Sequence, residues 1–290
     1  MIVLSIIILS YNTKDLTLRC VESVAKQYKK ELEEKRFEII VVDNASSDAS
    51  ASELSTFNSQ LSTLNLIQNK ENVGFAKGCN IGAKASSGQY ILFLNSDTEI
   101  LDRGFLSMIE LLKKNPKIAI LGGKIHNVDS STQPSAGKFY NLFNLVLVLL
   151  GMERIGFVRS SPTKVQKVDW VSGACMMVRG DVFRKLAGFD EKLFMYMEDM
   201  EICYRAKKLG FSTYFYPDLN LRHKSWGSSS RTFAIINIYK GILHFYAKHR
   251  SSFEYVIAKT LLIVKAKILI LVGFLTFNKN LIERYRKAIS

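Results

Sequence analysis

The sequence predicts an α/β fold: a mostly parallel sheet with helices on both faces, followed by a basic helical segment. Three observations lead there. Short β-branched runs alternate with longer helix-like stretches over the first 121 residues. Apolar residues make up 48% of the chain, enough for a large core. The net charge is +14, and Lys240, Lys248, Arg250, Lys259, Lys265, Lys267, Lys279, Arg284, Arg286 and Lys287 gather much of it late in the chain.

The first apolar run, residues 3–9, lacks a basic leader region and is too short to cross a bilayer, so it reads as a buried strand. Further strands are expected at 38–42, 65–67, 90–94 and 118–121, and helices at 16–28, 74–85 and 104–113. Ligands of such sheets bind beyond the carboxyl ends of the strands. Polar clusters stand there: Ser10-Tyr11-Asn12, then Asp43-Asn44-Ala45-Ser46-Ser47-Asp48, then Asn95-Ser96-Asp97. One such cluster is an ordinary turn. Three at successive strand ends point to a site.

The second half begins with an apolar stretch at 140–152 and an irregular basic stretch at 154–167. Two readings stand: a flap on the acceptor side, or a helix packed on the core. The segment 168–174 leads into an apolar run at 175–178, and a helix starting near Glu198 is expected to stop near Gly210. Cys20, Cys79, Cys175 and Cys203 are widely spread with no CxxC pair, which argues against a disulfide framework or zinc site and for a reducing compartment.

Sugar transfer from a nucleoside diphosphate needs groups to hold base and ribose, a cation for the leaving diphosphate and a base for the acceptor hydroxyl. The ordered motifs 8–12, 41–48, 72–80, 92–97, 170–174, 188–191 and Glu198-Asp199 resemble those of family 2 glycosyltransferases with the GT-A fold. The resemblance runs from Val3 to Ser229 and is similar in detail to bacterial rhamnosyltransferases.

That resemblance implies roles. Ser10, Tyr11, Asn12, Asp43, Asn44 and Ser46 would hold the nucleoside. Asn72, Gly74, Phe75 and Asn80 would lie along the nucleotide, with Asn95 and Ser96 also on the donor side. Asp97 and His223 would bind a divalent cation, Mg²⁺ or Mn²⁺. Asn95 replaces the first of the two acids often found there, so the ion would arrive mainly with the donor. Trp170, Gly173 and Asp190 would face the acceptor. Asp199 would be the catalytic base, supported by Glu198 and kept ionised by its place at a helix start. The expected partners are a nucleotide-sugar donor, for which the likeness to rhamnosyltransferases implies deoxythymidine diphosphate rhamnose, and a glycan or lipid-linked acceptor.

A Gln-x-x-Arg-Trp signature of processive synthases is missing, which favours one addition per encounter. A sugar-1-phosphate nucleotidyltransferase would need a Gly-rich basic loop where Ser10-Tyr11-Asn12 stands. The charge alone suggests nucleic acid, but no nucleic-acid module is recognisable.

The expected division is a catalytic domain over 1–230 and a helical segment over 231–290. The apolar residues of 256–277 favour the bilayer by about 0.3–0.6 kcal/mol each, and Lys265 and Lys267 oppose it by about 2.5–3.5 each, so the sum is near zero. Lys265 and Lys267 fall on nearly opposite faces of a helix, so the stretch is not cleanly amphipathic. Docking on an anionic membrane surface from the cytoplasm, or packing on the catalytic domain or a sister subunit, are the two readings.

Overall fold

A computed structural model describes residues 1–60, 63–156, 158–224 and 230–289, with the backbone alone at 57–60 and 154–155. The end of the family resemblance at Ser229 and Phe157 of the basic stretch lie outside the described residues.

The first half alternates as expected: β1 (Leu4–Ser10), α1 (Lys14–Gln27), α2 (Lys29–Glu33), β2 (Phe37–Asp43), α3 (Ser50–Gln60), β3 (Leu64–Gln68), α4 (Phe75–Ala85), β4 (Tyr90–Asn95), β5 (Thr98–Ile100), α5 (Gly104–Lys114) and β6 (Ile118–His126). Short strands β7 (Thr132–Gln133), β8 (Ala136–Gly137), β9 (Arg159–Ser160), β10 (Gln166–Val168) and β11 (Trp170–Val171) surround α6 (Leu142–Leu149). Then follow β12 (Cys175–Arg179), α7 (Gly180–Lys185), α8 (Glu198–Lys208) and β13 (Ser212–His223). Three helices end the chain: α9 (Arg231–His249), α10 (Ser252–Leu275) and α11 (Lys279–Ile289).

The main sheet runs β10-β13-β6-β12-β4-β1-β2-β3. Strands β3, β2, β1 and β4 are mutually parallel. β12 is inserted antiparallel between β4 and β6, and β13 returns parallel to β6. Both faces of the parallel half are covered, which is why β1 and β4 read as unbroken apolar runs. Ile6, Ile8, Leu92 and Leu94 face one core with α1 and α5. Ile7, Ile91 and Phe93 face the other, with α4, α7, α8 and α9. The fit of α4 on β1 depends on Gly78 and Gly82, where an added Cβ would come within 2.5 Å of Leu9 Cδ1 and 2.6 Å of Ile7 Cγ2.

The stretch at 140–152 resolves into α6, which packs against α10. The packed helix is seen for 142–149, while Arg159 of the basic stretch that follows lines a cleft. The C-terminal segment is also joined to the catalytic core. Tyr239, Ile242, Phe245 and Tyr246 of α9 share one cluster with Met200, Ile202 and Cys203 of α8. All four cysteines are buried, and burial pushes the thiols of Cys20, Cys175 and Cys203 up to about 12.

Candidate active site

The carboxyl ends of β1, β2 and β4 open into a cleft of about 660 Å³. Tyr11, Asn44, Asn72, Gly74, Phe75, Asn95, Ser96, Asp97 and His223 all line it. These residues come from positions 11 to 223 of the chain. Their positioning is built from side chains that bond to backbone. Asn44 is buried, and its amide nitrogen donates to Asn72 Oδ1 at 2.8 Å and to the Gly74 carbonyl at 3.3 Å. Its own oxygen accepts from Asn69 Nδ2 at 2.9 Å and from the Val73 N–H at 3.2 Å. One amide thus ties the end of β2 to the loop that enters α4. Gly74 there has φ +84°, and a Cβ would lie 2.6 Å from the Phe194 carbonyl oxygen. That left-handed conformation and close approach both call for glycine.

The loops after β1 and β2 are stitched in the same way. The Asn12 N–H donates to Ser46 Oγ at 2.9 Å, and Asn12 Oδ1 accepts from the Ser47 N–H at 2.8 Å. Ser10 is fully buried, its hydroxyl 2.9 Å from Thr17 Oγ1. Asp43 is 2% exposed; one oxygen accepts from the Ser46 N–H at 3.1 Å, and the other, Oδ1, has no partner. A buried acceptor without a partner is costly, and an N–H of a ligand would relieve it.

Across the cleft, Asp97 Oδ1 lies 3.0 Å from His223 Nε2. His223 ends β13, which pairs with β5 just after Asp97. Its Nδ1 is 2.9 Å from Gln133 Oε1, and Asn95 Nδ2 is 3.3 Å from Nε2. Among the described residues no group of three or more His, Cys, Asp or Glu is placed to hold a metal ion. A carboxylate beside an imidazole in a polar cleft still fits a divalent cation whose other positions go to water and substrate phosphates.

Asp199 is the second residue of α8. It does not itself line the cleft, nor do Glu198, Ser10, Asn12, Asp43, Ser46 and Gly173, but it feels the charge of Arg159, which does. Its Oδ1 accepts from the Met200 N–H at 2.7 Å and its Oδ2 from the Gly173 N–H at 3.2 Å. The expectation that the helix start lowers its pKa is corrected here. Burial raises its pKa, and the amides of Gly173 and Met200 and the charge of Arg159 only oppose that rise. Glu198 is raised further, first by burial and then by Asp199, and its Oε2 has no partner. Two adjacent buried carboxyls resist holding two charges.

Three named residues are engaged elsewhere. Asn80 accepts from the Phe189 N–H at 2.8 Å and donates to Phe189 O at 2.9 Å and to Glu191 Oε1 at 3.0 Å, so both ends of its amide clamp the 188–191 loop. Asp190 receives His244 Nε2 at 2.8 Å and Lys248 Nζ at 2.6 Å, which binds it to α9. Trp170 is 2% exposed, and its indole N–H donates to Lys138 O at 3.0 Å. These three side chains hold the fold, and none lines the cleft.

Other cleft residues were not singled out from sequence: Gln133, Arg159, Tyr196, Phe233 and Ile238. Arg159 is the one permanent cation among the described lining residues. It came from the irregular basic stretch, where its charge alone carried no position. Tyr196 and Met197 both have positive φ, 71° and 73°, directly before α8. Such strain in non-glycine residues gathers at functional sites, but sequence does not reveal it.

A curled, parallel-dominated sheet with acidic and amide loops around one cleft defines a glycosyltransferase of the GT-A fold. The chain belongs to Glycosyl transferase family 2, whose family model matches residues 5–187. It is 27% identical over 173 residues to N-acetylglucosaminyl-diphospho-decaprenol L-rhamnosyltransferase of Mycobacterium tuberculosis, covering 57% of this chain and 53% of that protein. It is 28% identical over 142 residues to rhamnosyltransferase WbbL of Escherichia coli K12, covering 48% and 54%. The chain thus spans about half the length of these curated relatives. In fold it is similar to the mannosyltransferase PcManGT of Pyrobaculum calidifontis, solved with GDP-Man and Mn²⁺, at TM-score 0.60 and 15% identity over 99% of this chain and 84% of that one.

Proposed function

We propose that the chain transfers a sugar, with inversion, from a nucleoside diphosphate donor to a hydroxyl of a glycan or lipid-linked acceptor in cell-surface polysaccharide synthesis. Deoxythymidine diphosphate rhamnose is the proposed donor. The observation that carries this reading is that Asp97 and His223 share one cleft with the Asn44–Asn72 network and with Arg159, whose charge acts on Asp199.

In this reading Tyr11 and Asp43 receive the nucleoside, with Asp43 Oδ1 accepting an N–H of a pyrimidine. Asp97 and His223 would hold a divalent cation, Mn²⁺ or Mg²⁺, with water and the diphosphate filling its other positions. When bound, that cation spreads the charge of the leaving diphosphate. Arg159 lines the same cleft and its charge acts on Asp199. The acceptor hydroxyl loses its proton to the Asp199 carboxylate while its oxygen bonds to the anomeric carbon. The bond from that carbon to the diphosphate oxygen breaks, and the diphosphate leaves with the electron pair. Attack opposite the leaving group inverts the configuration. The raised pKa of Asp199 makes it a stronger base than an ordinary carboxylate.

The test offers deoxythymidine, uridine and guanosine diphosphate sugars with Mn²⁺ and a lipid-linked acceptor, and reads the product by NMR. Transfer with an inverted anomeric centre is expected. A retained configuration would remove the single-displacement reading, and preference for a uridine or guanosine donor would remove only the rhamnose assignment.

A further inference from the structure

We infer that the outward face of α10 is a docking surface for an anionic lipid bilayer, on which the protein lies without crossing it. Phe253, Val256, Val264, Ile268, Leu271 and Leu275 are between 47% and 73% exposed. They fall on one side of the helix, opposite Ala258, Leu262, Ala266 and Gly273, which are buried against the protein. A contiguous apolar stripe on a helix of 24 residues needs something to cover it.

The two lysines that spoil the amphipathic pattern in sequence are sorted by the fold. Lys265 is half-buried on the protein side, where burial lowers its pKa and the nearby charge of Glu153 opposes that fall. Lys267 is exposed on the outward side. Lys259, Lys267 and Lys279 are exposed and form no ion pair among the described residues. An apolar stripe that carries Lys267 within it and Lys259 beside it, neither in an ion pair among the described residues, suits the boundary between acyl chains and anionic headgroups, where a lysine stem lies along apolar surface with its ammonium in the headgroups.

Charge decides against a second copy of this chain as the occupant. A twofold contact would place each patch on itself, so Lys267 of one copy would approach the same stripe and cations of the other. The acids of residues 252–289 are Glu254 and Glu283. Glu254 closes the capping box with Ser251, and Glu283 pairs with Lys287 at 2.6 Å. Neither is available to complement those cations. Among the described residues no helix is long and apolar enough to cross a membrane.

α11 carries this surface to the cleft. It packs against both α10 and α9, and Arg284 Nε donates to Thr232 Oγ1 at 3.4 Å, at the start of the helix whose Phe233 and Ile238 line the cleft. Docking through α10 therefore fixes the cleft's bearing to the bilayer. The inference needs none of the proposed chemistry, so the two fail separately.

The test is flotation of the full chain with phosphatidylcholine vesicles, with and without phosphatidylglycerol. Binding should require phosphatidylglycerol and weaken with salt. Ile268→Glu with Leu271→Glu should cut the bound fraction about tenfold or more, and Lys259→Glu with Lys267→Glu should remove the preference for anionic vesicles. Both double variants should melt like the wild type and bind nucleoside diphosphate unchanged. Three results would overturn the inference. They are flotation unaffected by the apolar pair, retention through carbonate extraction, or a wild-type dimer in light scattering that the apolar pair renders monomeric.

Discussion

Asp199 shows how one residue can serve rate at the expense of stability. Its carboxyl is buried, so its folded pKa lies above the unfolded one. Stability from the protonated form is present below the unfolded pKa and is lost as pH rises through the folded pKa. Asp199→Asn should therefore melt no lower than wild type near neutral pH. The same substitution removes the proton acceptor, so turnover should fall by about 10²–10⁴-fold with donor affinity nearly unchanged. Steady-state kinetics at saturating acceptor, beside a thermal melt, checks both halves. Near wild-type turnover would move the base elsewhere, with Glu198 next in line. In the wild type the rate should rise with pH through the raised pKa of this group, and an acid limb at an ordinary carboxylate value would contradict the burial argument.

Among elements, α9 carries the sharpest consequence. Glu201 on α8 is fully buried and meets Arg205, with Lys248 Nζ at 2.8 Å and His249 Nε2 at 3.0 Å from α9. Burial would raise its pKa, but the bonds from His249, Arg205 and Lys248 outweigh that and hold it at about 2. Asp190 is likewise lowered, against its burial, by Lys248 and His244. Depressed carboxyls contribute stability above their unfolded pKa and lose it as pH falls through the folded one. The contact between α8 and α9 should thus weaken as pH drops from about 4.5 toward 2, first seen as faster amide exchange in α9. Glu201→Gln should lower the unfolding free energy by about 3 kcal/mol, because it removes the buried counter-charge of the largely buried Arg205; urea titration measures this. The partners from α9 were not legible in sequence, since they lie 47 to 58 residues from Glu201 and Asp190 and look like solvated charges. The strands were legible because parallel strands buried on both faces are continuous apolar runs. β12 was seen only as an apolar run, because its reversed direction depends on its neighbours.

At the scale of the molecule, motif order disclosed the cleft's floor, while the fold decided which motif residues reach it. Asn44, Asn72, Asp97 and His223 arrive. Asn80, Asp190 and Trp170 stand in the same motifs yet clamp loops and helices. A residue that shapes a site and one that touches ligand leave the same trace in a motif. The cleft's remaining wall comes from α9, beyond the expected boundary at 230, so a chain ending at Ser230 should lose cooperative unfolding in calorimetry as well as membrane binding. The most direct test of the whole account is titration calorimetry of a nucleoside diphosphate sugar, with and without Mn²⁺, on the wild type and Asp97→Ala. The account predicts tighter binding to the wild type with Mn²⁺, and loss of that metal-dependent gain in Asp97→Ala. Equal affinity of the two proteins in Mn²⁺ would contradict it.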